Sequence, residues 1–384
     1  MSPQAYKFSY DNDYRVQHLI NTNLSTGGLS GAAKAASAKL IREILGVTKV
    51  DAKNPPMPNP VIFPPYANSK KYGITHFGIM IPDLPAPHYF LACATMLGSS
   101  GFKVYDIDHA MSKDGPRHTA VLAHATAVST QDGFKSYSML DEMTIAKDGS
   151  LIKFAEDLEF SGLYPHYRLK SNRENFSVDL QLEATGDITW FCKSKVYNHL
   201  SLLTRYKGTI TTHGESMDVS GLCTYEYARG STPYLVRNKS IPEFAKFPFD
   251  TFSYQVIDLD DNTQLLLVLL GIVKSPFLVS AYLRTAGKNG THRVNATVNF
   301  EVLNLQDQPA VAPDGSLTPM VKDFRWTIVA QDKKFNFEIN GTVDTPMVFG
   351  LGRGFIGGYK WKGTRAGVAT EGRGYIEYVD QRGQ

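Results

Sequence analysis

The sequence predicts an all-β protein made of two tandem antiparallel β-barrels with a short helical extension in front, and three observations carry that prediction. The first is a repeat: GLCTYEYARG at 221–230 is matched by GRGYIEYVD at 372–380, so Gly-x-x-x-x-Glu-Tyr is written twice. An aromatic-Lys-Gly precedes each copy, as Tyr206-Lys207-Gly208 and as Trp361-Lys362-Gly363. The second is length, because 384 residues is about two ordinary domains and the copies lie about one domain apart. The third is rhythm. From Thr75 onward, apolar and aromatic runs are separated by DGF, DGS, DDNT and KNG at roughly ten-residue intervals, as in antiparallel sandwiches and barrels.

From the N-terminus, the clearest helix is Ser30 to Leu45. Ser30 can cap it, Ala33, Ala36, Leu40, Ile41, Ile44 and Leu45 recur at three-and-four spacing, and Gly46 can close it. Residues 55–65 (PPMPNPVIFPP) are too proline-dense for a helix interior or a ladder strand and are expected to be an extended linker. Residues 1–69 therefore form an appendage that is expected to pack across a barrel or domain junction. The first barrel is expected over 70–235 and the second over 245–384.

Within the first barrel, FSVDLQLEA alternates cleanly: Phe176, Val178, Leu180 and Leu182 share one face and Ser177, Asp179, Gln181 and Glu183 the other. Each repeated unit reads as strand, turn, strand, with the turns at Thr212 to Ser216 and Arg365 to Thr370. The first copy is longer between its two motifs than the second, and turns are where length varies most freely, so the difference is expected in the turn.

Composition narrows the function. A net charge of +3 is too small to argue for a polyanion partner, so nucleic acid is not indicated. The 20 Tyr and 21 Phe suit half-buried strands and apolar ligand cavities alike. Cys93, Cys192 and Cys223 are odd in number and lack CxxC spacing, which argues against a disulfide framework and a structural zinc site. No secretory signal opens the chain and the apolar run from Leu265 to Val273 is too short to span a bilayer, so a cytoplasmic protein without a membrane span is expected. His76, His88, Asp106, Asp108, His109, His118 and His124 crowd the first barrel but show no metal-ligand spacing, so no metal is expected. GxSxG is absent, and GLGRGF at 350–355 lacks both the lysine of a P-loop and the helix of a dinucleotide fingerprint. No cofactor is indicated.

The stretch YNHLSLLTRYKGTITTHGESMDVSGLCTYEYARG, with YKWKG and GRGYIEYVD at the far end, resembles the tandem-lipocalin (calycin-like) group. That group includes carotenoid 1,2-hydratases, kievitone hydratase, lipocalin-like Diels–Alderases and uncharacterised bacterial families. The resemblance implies a cavity between or within two barrels that holds a hydrophobic terpenoid-, steroid- or polyketide-like alkene or enone without a cofactor. It also implies a hydratase, lyase or cyclase acting by general acid/base catalysis. The acid of the hydratase motif falls on Glu226, where the hydratases carry Asp, and the histidine on His199, about one position from the family spacing. Tyr225, Tyr227, Arg205, Tyr254, Gln255 and Trp361 are the candidate substrate-binding residues; Tyr254 and Gln255 can offer a phenol and an amide to a substrate carbonyl.

Glu226 has a physical case of its own. On a strand, Leu222, Thr224 and Glu226 face one way and Cys223, Tyr225 and Tyr227 the other. A carboxyl on an apolar barrel face has its pKa raised, as a proton donor near neutral pH requires. The alternative is an ion pair at the barrel rim with Arg205 or Arg229, matched in the second copy by Glu377 and Arg373. At the level of the whole protein, the alternative to an enzyme is a non-catalytic carrier of a hydrophobic small molecule, since eight-stranded barrels enclose such ligands without chemistry.

Overall fold

The computed structural model describes residues 7–10, 18–20, 42–47, 57–272, 275–287, 292–293, 296–330 and 332–381. It is nearly all strand, with one nearly closed barrel and one half-barrel. The first sheet has eleven strands, and its last strand in the chain, Glu215–Gly230, lies between the first, Ile74–Ile81, and its hairpin partner Tyr197–Thr212. The second sheet repeats this arrangement: Val368–Asp380 lies between Phe249–Asp260 and Gly354–Arg365. Glu226 and Glu377 therefore occupy equivalent strands. Among the described residues no helix is long and apolar enough to cross a membrane.

The repeated motifs are the closing hairpins of the two sheets, and their pairing explains why these residue types recur. Tyr206 lies opposite Gly221 and Trp361 opposite Gly372. Each ring lies over the glycine across from it, where a Cβ would meet it at 3.3 and 3.2 Å. Gly208 and Gly363 mark a tighter approach: a Cβ there would stand 1.9 Å from the Asp179 carbonyl oxygen and 1.7 Å from that of Glu338.

The length difference is not in the turn. Both hairpins close through two left-handed residues, His213-Gly214 (φ 51° and 84°) and Ala366-Gly367 (φ 53° and 83°), the backbone of a type I′ turn. The first hairpin is longer because each of its strands is extended by two residues. Side chains alternate with period two, so an even extension leaves every later residue on its original face. A longer loop would have splayed the strands.

Each barrel is filled by its own side chains. Phe77, Ile79, Leu169, Leu180, Tyr225 and Tyr227 belong to the first interior, and Leu267, Phe300, Trp326, Tyr359 and Trp361 to the second. The proline-dense segment is extended and plugs the first barrel: Phe63 is buried against Tyr225 and Tyr227, and the Tyr227 hydroxyl donates to the Pro64 carbonyl at 2.8 Å. A third apolar cluster lies between the barrels, with Met80, Phe90 and Phe191 from one side and Tyr254, Val268, Tyr282 and Tyr375 from the other. Most of the expected helix, residues 30–41, lies outside the described residues. Arg42–Leu45 is helical and Gly46 closes it at φ 73°, against the carbonyl of Lys193. The appendage also joins the second sheet, where Lys7–Tyr10 pairs with Ala296–Leu305 on one side and His18–Ile20 on the other.

A candidate active site between the barrels

Because each barrel interior is packed, the space for a ligand lies between them, in a cavity of about 120 Å³ walled mainly by Phe102, Phe191, Phe249, Phe252, Val268 and Leu270. Its polar groups include His76, His199 and Glu226 from the first barrel and Tyr254 and Glu377 from the second. Strand alternation positions them. Cys223, Tyr225 and Tyr227 point into the first barrel, so Thr224, Glu226 and Ala228 point at the second. Ala228 is paired with His76 on one side and His199 on the other, and Glu226 lies two residues along the same face. Three adjacent strands thus bring two imidazoles and a carboxylate together around a small alanine.

His199 Nε2 lies 3.2 Å from Glu226 Oε2 and His76 Nε2 lies 3.8 Å from the same oxygen. His76 Nδ1 is 2.7 Å from the Thr95 carbonyl, which can only accept, so that nitrogen carries a proton. His199 Nδ1 faces the Tyr197 hydroxyl at 3.3 Å. Glu226 is 2% exposed, and its Oε1 has no hydrogen-bond partner. The Tyr254 phenol comes near this carboxylate but does not align with it as a hydrogen bond.

The two repeated glutamates are held in opposite states. Burial pushes the Glu226 carboxyl up, but the hydrogen bonds and charges of His199 and His76 outweigh it and hold the group well below the usual carboxylate range. Burial lowers the pKa of His199 while Glu226 pulls it up, and the net direction is down. Glu377 has no imidazole: opposite Val379, where the first barrel has His76 opposite Ala228, stands Phe252. Burial and the charge of Glu226 raise Glu377 well above 4.5, and its Oε1 accepts from the Tyr375 hydroxyl at 2.8 Å. It is a neutral acid facing an ionised one. A raised pKa was expected for Glu226; the structure puts it on Glu377, because the histidines sit beside the first copy alone.

Of the residues named from sequence, Glu226, His199 and Tyr254 meet at the cavity. Tyr225 and Tyr227 do not, since their parity turns them into the first barrel, where Tyr225 stacks on Tyr167 at 4.2 Å. Gln255 and Trp361 lie off the cavity, Gln255 bonded to Ser253 and Trp361 in the second core. Arg205 is exposed and bonds Asn262, while Arg229 lies over Tyr66 and Tyr72 and Arg373 pairs with Asp344, so none of them pairs with either repeated glutamate. Sequence reasoning missed His76 and Glu377 as site residues. His76 shows no local spacing to its partners, which arrive from strands far along the chain; the repeat itself pointed to Glu377.

The family model described as "Family of unknown function (DUF6670)" matches residues 94–384. No curated protein matches the sequence. Among solved structures, the fold is shared with a putative AttH (NE1406) from Nitrosomonas europaea, at 14% identity and a TM-score of 0.54, covering 86% of this chain and 98% of that one. Kievitone hydratase from Nectria haematococca matches at 12% identity and TM-score 0.47 over 85% and 96% of the two chains, and CghA at 11% and 0.44 over 86% and 96%. The tandem-lipocalin fold implied by the closing hairpins is the fold of this chain.

Proposed function

We propose, for a chain that belongs to the DUF6670 family, that the inter-barrel cavity catalyses a proton-transfer reaction of the hydratase, lyase or cyclase class on a hydrophobic alkene or enone. The observation that carries this reading is the pair of buried carboxyls lining one apolar cavity with pKa values driven in opposite directions. Environments that split two carboxyls in this way assign an acid and a base. Glu377, protonated, delivers a proton to the substrate π-system or carbonyl oxygen. Glu226, through His199, accepts one from water or from the adjacent carbon. Addition of water and its reverse both balance on that exchange. A volume of about 120 Å³ holds a ring-sized portion of a substrate beside the carboxyls, comparable with cavities that admit benzene.

The test is a pair of variants assayed on whatever hydrophobic compound co-purifies with the protein, identified by mass spectrometry. Glu226→Gln and Glu377→Gln should each lower turnover by roughly two to four orders of magnitude while ligand binding persists. Unchanged turnover in both variants would remove the two carboxyls from the reaction, and bound ligand with no conversion by the wild type would replace the enzyme with a carrier of the same ligand.

A further inference from the structure

We infer that His76, His199 and Glu226 form a binding site for one divalent transition-metal ion, with open coordination positions facing the inter-barrel cavity. The three donor atoms, the Nε2 of each histidine and a Glu226 carboxylate oxygen, lie within 4.8 Å of one another. Two imidazoles and one carboxylate are the donor set of three-ligand catalytic zinc sites and of non-haem iron sites. With bonds of about 2.0–2.1 Å, donors around a tetrahedral ion stand about 3.3 Å apart. The His199–Glu226 separation of 3.2 Å already has that value and the His76–Glu226 separation of 3.8 Å is close to it.

The hydrogen bonds around the cluster point the same way. Thr95 holds a proton of His76 on Nδ1, so Nε2 is the ring nitrogen turned towards the Glu226 carboxylate. Backbone-carbonyl orientation of the distal nitrogen is how proteins fix a metal-binding histidine. His199 has a comparable outer partner in the Tyr197 hydroxyl, 3.3 Å from its Nδ1. Glu226 Oε1, buried and without a partner, is available as a further ligand or as acceptor for a metal-bound water. The expectation of no metal rested on spacing along the chain, and these ligands come from three different strands.

This goes beyond the acid/base reading and is tested without a substrate. Metal-stripped full-length protein is titrated with Zn²⁺ and with Co²⁺, following uptake by calorimetry and the visible ligand-field bands of cobalt. One equivalent is expected, with intense bands indicating four or five ligands. His76→Ala, His199→Ala and Glu226→Gln should each weaken binding by at least about 100-fold, and Tyr197→Phe by about 10-fold, the scale of losing an outer partner. Glu377→Gln should retain the equivalent. Circular dichroism establishes that each variant is folded, and the wild-type cobalt spectrum stands whatever the variants do. No stoichiometric uptake by the wild type, or uptake indifferent to all three ligand substitutions, overturns the site. Metal uptake decides this site and turnover by the protein decides the acid/base reading, so either can fail without the other.

Discussion

Glu226 and Glu377 are the same residue written twice, and their neighbours decide that one is ionised and the other not. The sign of the resulting pH dependence follows from Glu377. Its folded-state pKa is raised above 4.5, so the folded protein holds a proton that the unfolded chain releases. The associated stability is present below about pH 4.5 and is lost as pH rises towards the folded value. Glu377→Gln removes that loss, so its melting temperature should exceed that of the wild type by a margin that widens between about pH 5 and pH 8. Equal slopes for the two proteins would show that Glu377 does not titrate as described. Glu226→Gln should narrow the margin, because the Glu226 charge is one of the two causes that raise Glu377.

At the scale of the element, the closing hairpins show what a linear sequence discloses. Motif, register and loop are local, and Tyr206 over Gly221 or Trp361 over Gly372 can be read from two short matches. The loop was misplaced because strand extension and loop extension are alike in residue count, and only the pairing separates them. Parity correctly put Tyr225 and Tyr227 on the face opposite Glu226. Which face turns towards the partner barrel is a packing fact and stayed hidden, and with it the meeting of His76 and Glu226. The glycines offer a test. Gly208→Ala and Gly363→Ala each drive a Cβ into a neighbouring carbonyl and should each cost roughly 2–4 kcal/mol in denaturant unfolding. Gly221→Ala meets only the edge of the Tyr206 ring, and its cost should stay below about 1 kcal/mol. The reverse order would contradict the register.

At the scale of the whole molecule, the barrels share one interior as well as having one each. Phe191, from the first, packs edge-on to Tyr254 and Tyr282 of the second at 5.8 and 5.4 Å and to His199 at 4.9 Å. Buried Arg284 of the second barrel donates to Ser201 of the first at 3.0 Å. Phe191→Ala should lower stability by about 3–5 kcal/mol, the cost of emptying an aromatic site. Calorimetry should then show one transition moved down as a unit; two separated transitions would mean that the barrels unfold independently.

The pairing of Lys7–Tyr10 with Ala296–Leu305 sets an order in time. Phe8 stands opposite Phe300, so this early strand has to wait for a partner made much later in the chain. The eleven-stranded sheet between them can assemble in the meantime, since domains fold as units while synthesis continues. Throughout that interval the early strand carries unpaired amides and carbonyls, the template on which chains join one another. Closing a contact across so long a stretch of chain is slow. The hazard of misassembly therefore lasts until residues 296–305 have been made, by which time the eleven-stranded sheet can already stand.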